Sequence, residues 1–159
     1  MKSVFILFSV LLASFSHGDP VDEEKSVSGL KAPERAGLQD IGHGDDVAFA
    51  ATWSKVVSDD PEDPVIGYSA YLWEIKKVKT LVFVDGEQQE DEPPIDNDHL
   101  PDGVPMITTV PANKTIAFFY KLKMRVAYEI RVKAYTKSRE GPFSSAMRLK
   151  VLKRVTTVS

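Results

Sequence analysis

The 159-residue chain contains no cysteine. That single absence excludes disulfide staples, thiol catalysis, zinc fingers and iron–sulfur sites together. Histidine is nearly as scarce, with only His17, His43 and His99 in the whole chain. There is no Gly-x-Ser-x-Gly elbow, no His-Glu-x-x-His pair and no glycine-rich phosphate loop, so hydrolase and nucleotide-binding templates find no parts. Carboxylates are plentiful, but they cluster in turn-like stretches where nothing would desolvate them and shift their pKa toward acid–base work. The expectation is a protein that is not an enzyme and uses no cofactor. Apolar runs are also missing: after the first fifteen residues none is long enough to span a bilayer. The polar end Arg154–Ser159 does not resemble a lipid-anchor signal, so no membrane anchor is expected. A net charge of -3 gives no global attraction to nucleic acid.

What is present begins with Met1-Lys2 and the apolar run Val4–Phe15. A basic start, a short apolar core and small residues at Ser16 and Gly18 read as a signal peptide over residues 1–18, cut before Asp19. The mature protein is therefore expected to be secreted and extracellular. Residues 19–37 mix acids, Ser, Gly and Pro33 with few large apolar residues, too little surface to offset ordering entropy, and read as a flexible acidic leader. One domain follows, over 38–152, with a tail at 153–159. Without disulfides it must hold itself by core packing.

From Tyr128 onward every second residue is apolar: Tyr128, Ile130, Val132 and Ala134 alternate with Glu129, Arg131, Lys133 and Tyr135. Period two assigns the first set to a core and the second to solvent, because a helix would have to bury the charges. Val47, Phe49, Ala51 and Trp53 alternate likewise, as do Ile66, Tyr68, Ala70 and Leu72 against Ser69, Tyr71 and Trp73. Leu38 and Ile41 fit a short first strand. Thr80–Val84 is a further β-rich run ending at the turn pair Asp85-Gly86, either a strand of its own or an extension of the one before. Met106–Val110 and Lys114–Leu122 read as two strands joined at Pro111-Ala-Asn113, and Met147, Leu149 and Val151 alternate inward along a last one.

The Leu122 to Tyr128 interval fits a tyrosine corner, in which a ring enters the core while its hydroxyl bonds backbone just upstream. With Trp53 on the second strand and the Lys137–Ser144 loop before the last, this set resembles a fibronectin type III domain over roughly Val47 to Leu152. The resemblance implies an all-β fold, an immunoglobulin-like antiparallel β-sandwich, and adhesion or receptor recognition as its work. Arg139-Glu-Gly-Pro-Phe-Ser-Ser145 lacks the Trp-Ser-x-Trp-Ser element of the cytokine-receptor branch. Residues 85–105 depart from the family pattern as an acidic insert: eight acids, several prolines and neither Lys nor Arg. Such a segment is expected to stay solvated. Asp96, Asp98, His99 and Asp102 match no EF-hand spacing, and no metal site is expected.

Charge is segregated, because after Pro105 the only acids are Glu129 and Glu140. If the family's sheet order holds, Tyr71 and Trp73, then Arg131, Lys133 and Tyr135, then Arg148 and Lys150 form one outward surface. Rings interleaved with cations make a binding site for an extracellular protein or an anionic glycan; a solvated face whose methylenes cover the rings is the plainer alternative. Asn113-Lys-Thr115 is a glycosylation sequon on a turn. The reading is a secreted, non-catalytic recognition module. The alternative is a secreted signal or effector, such as a venom or host-directed factor, whose leader or insert is the working part.

Overall fold

The alternation around Tyr128 becomes the strand Ala127–Tyr135, and its inward residues Tyr128, Ile130, Val132 and Ala134 all lie in the main core. The structure, a computed structural model, describes residues 29–34 and 36–152, apart from the side chains at 80, 81 and 83. The expected signal peptide, residues 19–28 of the leader and the tail 153–159 lie outside the described residues. Within them the order is β1 (Gly37–Asp40), β2 (Val47–Thr52), β3 (Gly67–Ile75), β4 (Val78–Val84), β5 (Glu87–Asp91), β6 (Met106–Pro111), β7 (Ile116–Leu122), β8 (Ala127–Tyr135) and β9 (Met147–Lys150).

These strands form an antiparallel sandwich: a three-stranded sheet β1-β2-β7 faces a four-stranded sheet β6-β3-β8-β9, while β4 and β5 form a separate hairpin. Consecutive β6 and β7 belong to different sheets, so Pro111–Thr115 carries the chain across one end of the core. The core draws Val47, Phe49 and Ala51 from β2 and Tyr68, Ala70 and Leu72 from β3. Burying a large side chain such as Ile130 fully contributes about 1.5 to 3 kcal/mol. Two tyrosine hydroxyls are satisfied by backbone inside this layer. The Lys123 N–H donates to Tyr128 Oη at 2.9 Å, which completes the tyrosine corner. The Val56 N–H donates to Tyr68 Oη at 2.9 Å, and the Tyr68 ring lies 5.4 Å from that of Trp53.

Two expectations change, and of the two alternatives for Thr80–Val84 the separate strand holds. Ile66 is exposed rather than inward, because the phase shifts ahead of Gly67 and Val65 packs against the core instead. Gly67 is required there: a Cβ would come within 2.5 Å of the Tyr135 ring and 2.7 Å of the Val110 carbonyl. Residues 29–34 and 36, placed by composition in the mobile leader, include packed chain. Leu30 is buried in the main core, and the Ser54 N–H donates to the Glu34 carbonyl at 2.9 Å. Thr80–Val84 belongs to β4, which pairs with β5 and with no other strand among the described residues.

Candidate functional site

Sheet order brings the expected basic and aromatic residues together as the sequence implied. Trp73 pairs with Glu129 and Glu129 with Arg148 across β3, β8 and β9, while Tyr71 pairs with Arg131. Their exposure is the correction. Arg131 is 2% exposed, Glu129 1% and Trp73 3%, so the outer face of β3 and β8 is covered at these positions. The cover is the insert itself. After the β4–β5 hairpin the chain runs back over β8 and β9, and residues 92–99 form a strap held mainly through main-chain oxygens.

Arg131 is the strap's anchor. Its Nη1 donates to the Asn97 carbonyl at 3.2 Å, and its Nη2 donates to the His99 carbonyl at 2.8 Å and to that of Asp96. Nε and Nη2 also reach Glu129 Oε1, at 3.1 and 2.7 Å. The other Glu129 oxygen takes Arg148 Nη2 at 2.7 Å, and Arg148 Nη1 bonds the Pro93 carbonyl. Lys150 pairs with Glu92, and the Ala146 N–H donates to Asn97 Oδ1 at 2.8 Å. A buried arginine needs both a counter-charge and enough acceptors for its five donors. Glu129 supplies the first and the strap's carbonyls the second. The insert is therefore not a solvated loop in this stretch, although its acidic side chains at 96, 98 and 102 are exposed.

The rest of this face is closed by the loop before β9. Phe143 lies 5.1 Å from the Tyr71 ring and 6.3 Å from that of Trp73, both edge-on, and Tyr71 stacks on Trp73 at 5.8 Å. Lys133 sits 5.2 Å above both Tyr71 and Phe143 and pairs with Glu140. Burial alone would lower the Lys133 pKa, but the Glu140 carboxylate and the Tyr71 hydroxyl hold it above its ordinary value. Tyr135 is half-buried across Gly67. Of the seven proposed binding residues, Tyr71, Trp73, Arg131, Lys133, Arg148 and Lys150 are thus committed to partners within the chain.

A cleft of about 350 Å³ remains between the strap and the end of β3, with Glu74, Asp96, Asp102 and Lys76 on its walls. The Asp96 carboxyl is held below its ordinary value, first by the His99 side chain at 2.8 Å and then by the Asp98 N–H. That shift runs opposite to the one a general acid needs near neutral pH. Among the described residues no three His, Cys, Asp or Glu side chains converge as metal ligands.

The other outer face, on β1-β2-β7, was not singled out in the sequence. Phe118 and Tyr120 project from it, 42% and 61% exposed, with their rings 6.2 Å apart and 20° from parallel. Phe118 pairs with Ala50 and Ala50 with Gln39; Ile116 pairs with Thr52. The signal was present in Phe118-Phe119-Tyr120, since three consecutive aromatics on a strand cannot all point inward. Phe119 takes the core position.

No family model and no curated protein matches the sequence. Among solved structures, the third fibronectin III domain of the human KIAA0343 protein is similar at TM-score 0.52 and 16% identity, over 83% of this chain and 90% of that one. The chain has the fibronectin type III fold. Looser likenesses are to the FN5 domain of Drosophila Lar, at TM-score 0.47 and 14% identity over 78% of this chain and 98% of that one, and to the fn3 domain of the human collagen alpha-1(XX) chain, at 0.45 and 20% over 83% and 91%. At such identities the likeness concerns fold, and function has to come from the faces of this fibronectin type III sandwich.

Proposed function

We propose that the chain is a secreted, non-catalytic recognition module that binds an extracellular protein through the outer face of β1-β2-β7. The observation that carries this reading is the exposed, stacked pair Phe118 and Tyr120 on a face whose residues Gln39, Ala50, Thr52 and Ile116 are uncharged, with the exposed Lys121 at its rim beside Tyr120. In a chain that is 27% charged this is a marked depletion. Interface cores have that composition, poor in charge and rich in rings that bring large contact area at little entropic cost. The partner is accordingly a protein with a flat apolar patch. An anionic glycan finds less to hold, because Arg131, Lys133, Arg148 and Lys150 already have carboxylate partners.

The test is capture from extracellular fluid by the parent, by Phe118→Ala plus Tyr120→Ala, and by Lys133→Ala. A species lost only with the first variant supports the reading. Equal capture by all three removes it, and loss only with Lys133→Ala returns the site to the other sheet. Asn113 is exposed in a turn closed by the Lys114 N–H to the Pro111 carbonyl at 2.9 Å, a geometry open to a glycosyltransferase. N-glycosylation there is expected, and an unchanged gel mobility for Asn113→Gln secreted from eukaryotic cells would exclude it.

A second reading rests on the β4–β5 hairpin, whose Val78, Val82 and Val84 are exposed. As an effector, the protein would display this hairpin from the sandwich. Deleting residues 79–90 would then abolish activity while leaving the melting midpoint in place.

A further inference from the structure

Edge strands offer unpaired backbone donors and acceptors, and natural edges are blunted by charge, brevity, bulges or covering segments. The six free edges among the described strands follow this rule with one exception. β1 and β9 have four residues each, the first ending at Asp40 and the second carrying Arg148 and Lys150. β5 carries Glu87, Glu90 and Asp91, and β4 carries Lys79. β7 carries Lys121, at a positive φ of 58°. β6 has six residues, Met106-Ile-Thr-Thr-Val-Pro111, with no charge and four β-branched side chains. It pairs with β3 on one side only, and Met106, Ile107 and Thr109 are exposed.

We infer that this edge pairs with a second copy of itself. Charge selects the occupant: a two-fold mate of β5 or β9 would set several like charges along the same short ladder, and one of β1, β4 or β7 would oppose like charges in registers centred on Asp40, Lys79 or Lys121, whereas β6 meets no charge in any register. β6 meets only Thr, Ile, Val and Met. A two-fold axis perpendicular to the sheet, through Thr108 or Thr109, keeps both cores on the same side and places threonine opposite threonine. The two four-stranded sheets then become one of eight strands. Pro105 and Pro111 bracket the ladder, since neither can donate an N–H. The pairing is isologous, so it consumes each chain's β6 and closes at two. Phe118 and Tyr120 belong to the other sheet, so the dimer presents their face twice.

Light scattering on the size-separated secreted chain is the direct test. The parent should run at twice the chain mass and Thr109→Lys at the chain mass, with the melting midpoint of each folded chain retained; Thr52→Lys, on the other sheet, should stay dimeric. A parent monomeric at millimolar concentration, or a dimer that survives Thr109→Lys, overturns the inference. Because the chain has no cysteine, a single introduced thiol reports independently. Thr108→Cys or Thr109→Cys should give a disulfide-linked dimer on mild oxidation, since only residues at the axis bring their Cβ atoms within bonding range. Cross-linking no greater than that of Thr52→Cys counts against the β6 interface.

Discussion

The two outer faces of this sandwich are built on the same antiparallel scaffold and end in opposite states. On β3-β8-β9 the outward positions carry Trp73, Glu129, Arg131 and Arg148, and the chain covers them with its own strap and with Phe143. On β1-β2-β7 the outward positions carry Gln39, Thr52, Phe118 and Tyr120 and stay open. The face that looked like a binding surface by composition is a second small core, and the one that composition passed over is available. Charge therefore indicates a ligand site only after the charges already paired inside the chain have been removed from the count.

The sharpest way to break this contrast is to remove the strap's anchor. Arg131→Ala leaves Glu129 buried with part of its counter-charge gone, and losing one member of a buried ion pair costs about 3 to 5 kcal/mol. The matching change on the open face, Thr52→Ala, should stay within about 0.5 kcal/mol. Urea denaturation of both measures the gap, and comparable midpoints would mean that the strap does not close the first face. The same logic makes a deletion of residues 87–102 a poor probe of the insert's activity, because it uncovers Arg131.

How much of this was legible in the sequence depends on what kind of contact carries it. Side-chain alternation gave the inward residues of β8, the tyrosine corner, and the strands on either side of Asn113. Alternation says which way a residue points and nothing about what it meets there. The strap's grip on Arg131 uses the carbonyls of Asp96, Asn97 and His99, groups that every sequence has, so composition showed only eight acids and predicted a solvated loop. Its side-chain ties join residues 58 and 49 positions apart, Lys150 to Glu92 and Ala146 to Asn97, a separation at which local patterning has no leverage. Phe118 and Tyr120 were legible by the same parity argument that worked for β8.

A substitution in the layer shared by both faces calibrates these effects. Tyr128→Phe keeps the packing against Phe49 and strands the Lys123 N–H, so it should cost about 1 to 3 kcal/mol. An unchanged denaturation midpoint would argue against the corner. It should leave both outer faces as they are, with parent-like protease resistance across residues 92–102 and parent-like partner capture.

Acid should distinguish the faces without mutation. The Asp96 carboxyl is depressed by the His99 side chain, then by the Asp98 and His99 N–H groups. A carboxylate whose folded pKa lies below its unfolded one contributes fully above the unfolded value of about 3.9, and the contribution disappears as pH falls through the folded pKa. The strap should therefore keep its neutral-pH protection down to about pH 4 and lose part of it below. Hydrogen exchange at residues 96–99 would follow this. The outward residues of the open face have no carboxylate, so exchange in β7 should be flat over the same window. Parallel changes in both would show global acid unfolding instead of a local response.

The smallest expected effect is an absence of effect, on immobilised heparin. Lys133 and Lys150 were natural members of an anionic-glycan site when both were read as solvent-facing. In the structure Lys133 pairs with Glu140 above the Tyr71 and Phe143 rings, and Lys150 pairs with Glu92 on the strap. A cation that already faces a carboxylate presents little field beyond it, and at physiological ionic strength what is left is screened within about 8 Å. Lys133→Ala plus Lys150→Ala should consequently elute at the same salt as the parent, even though formal charge falls by two. Early elution of the double variant would mean that sulfate competes successfully with Glu92 and Glu140 for these ammonium groups. The strap would then be a displaceable cover, and the face it closes would return as the binding surface.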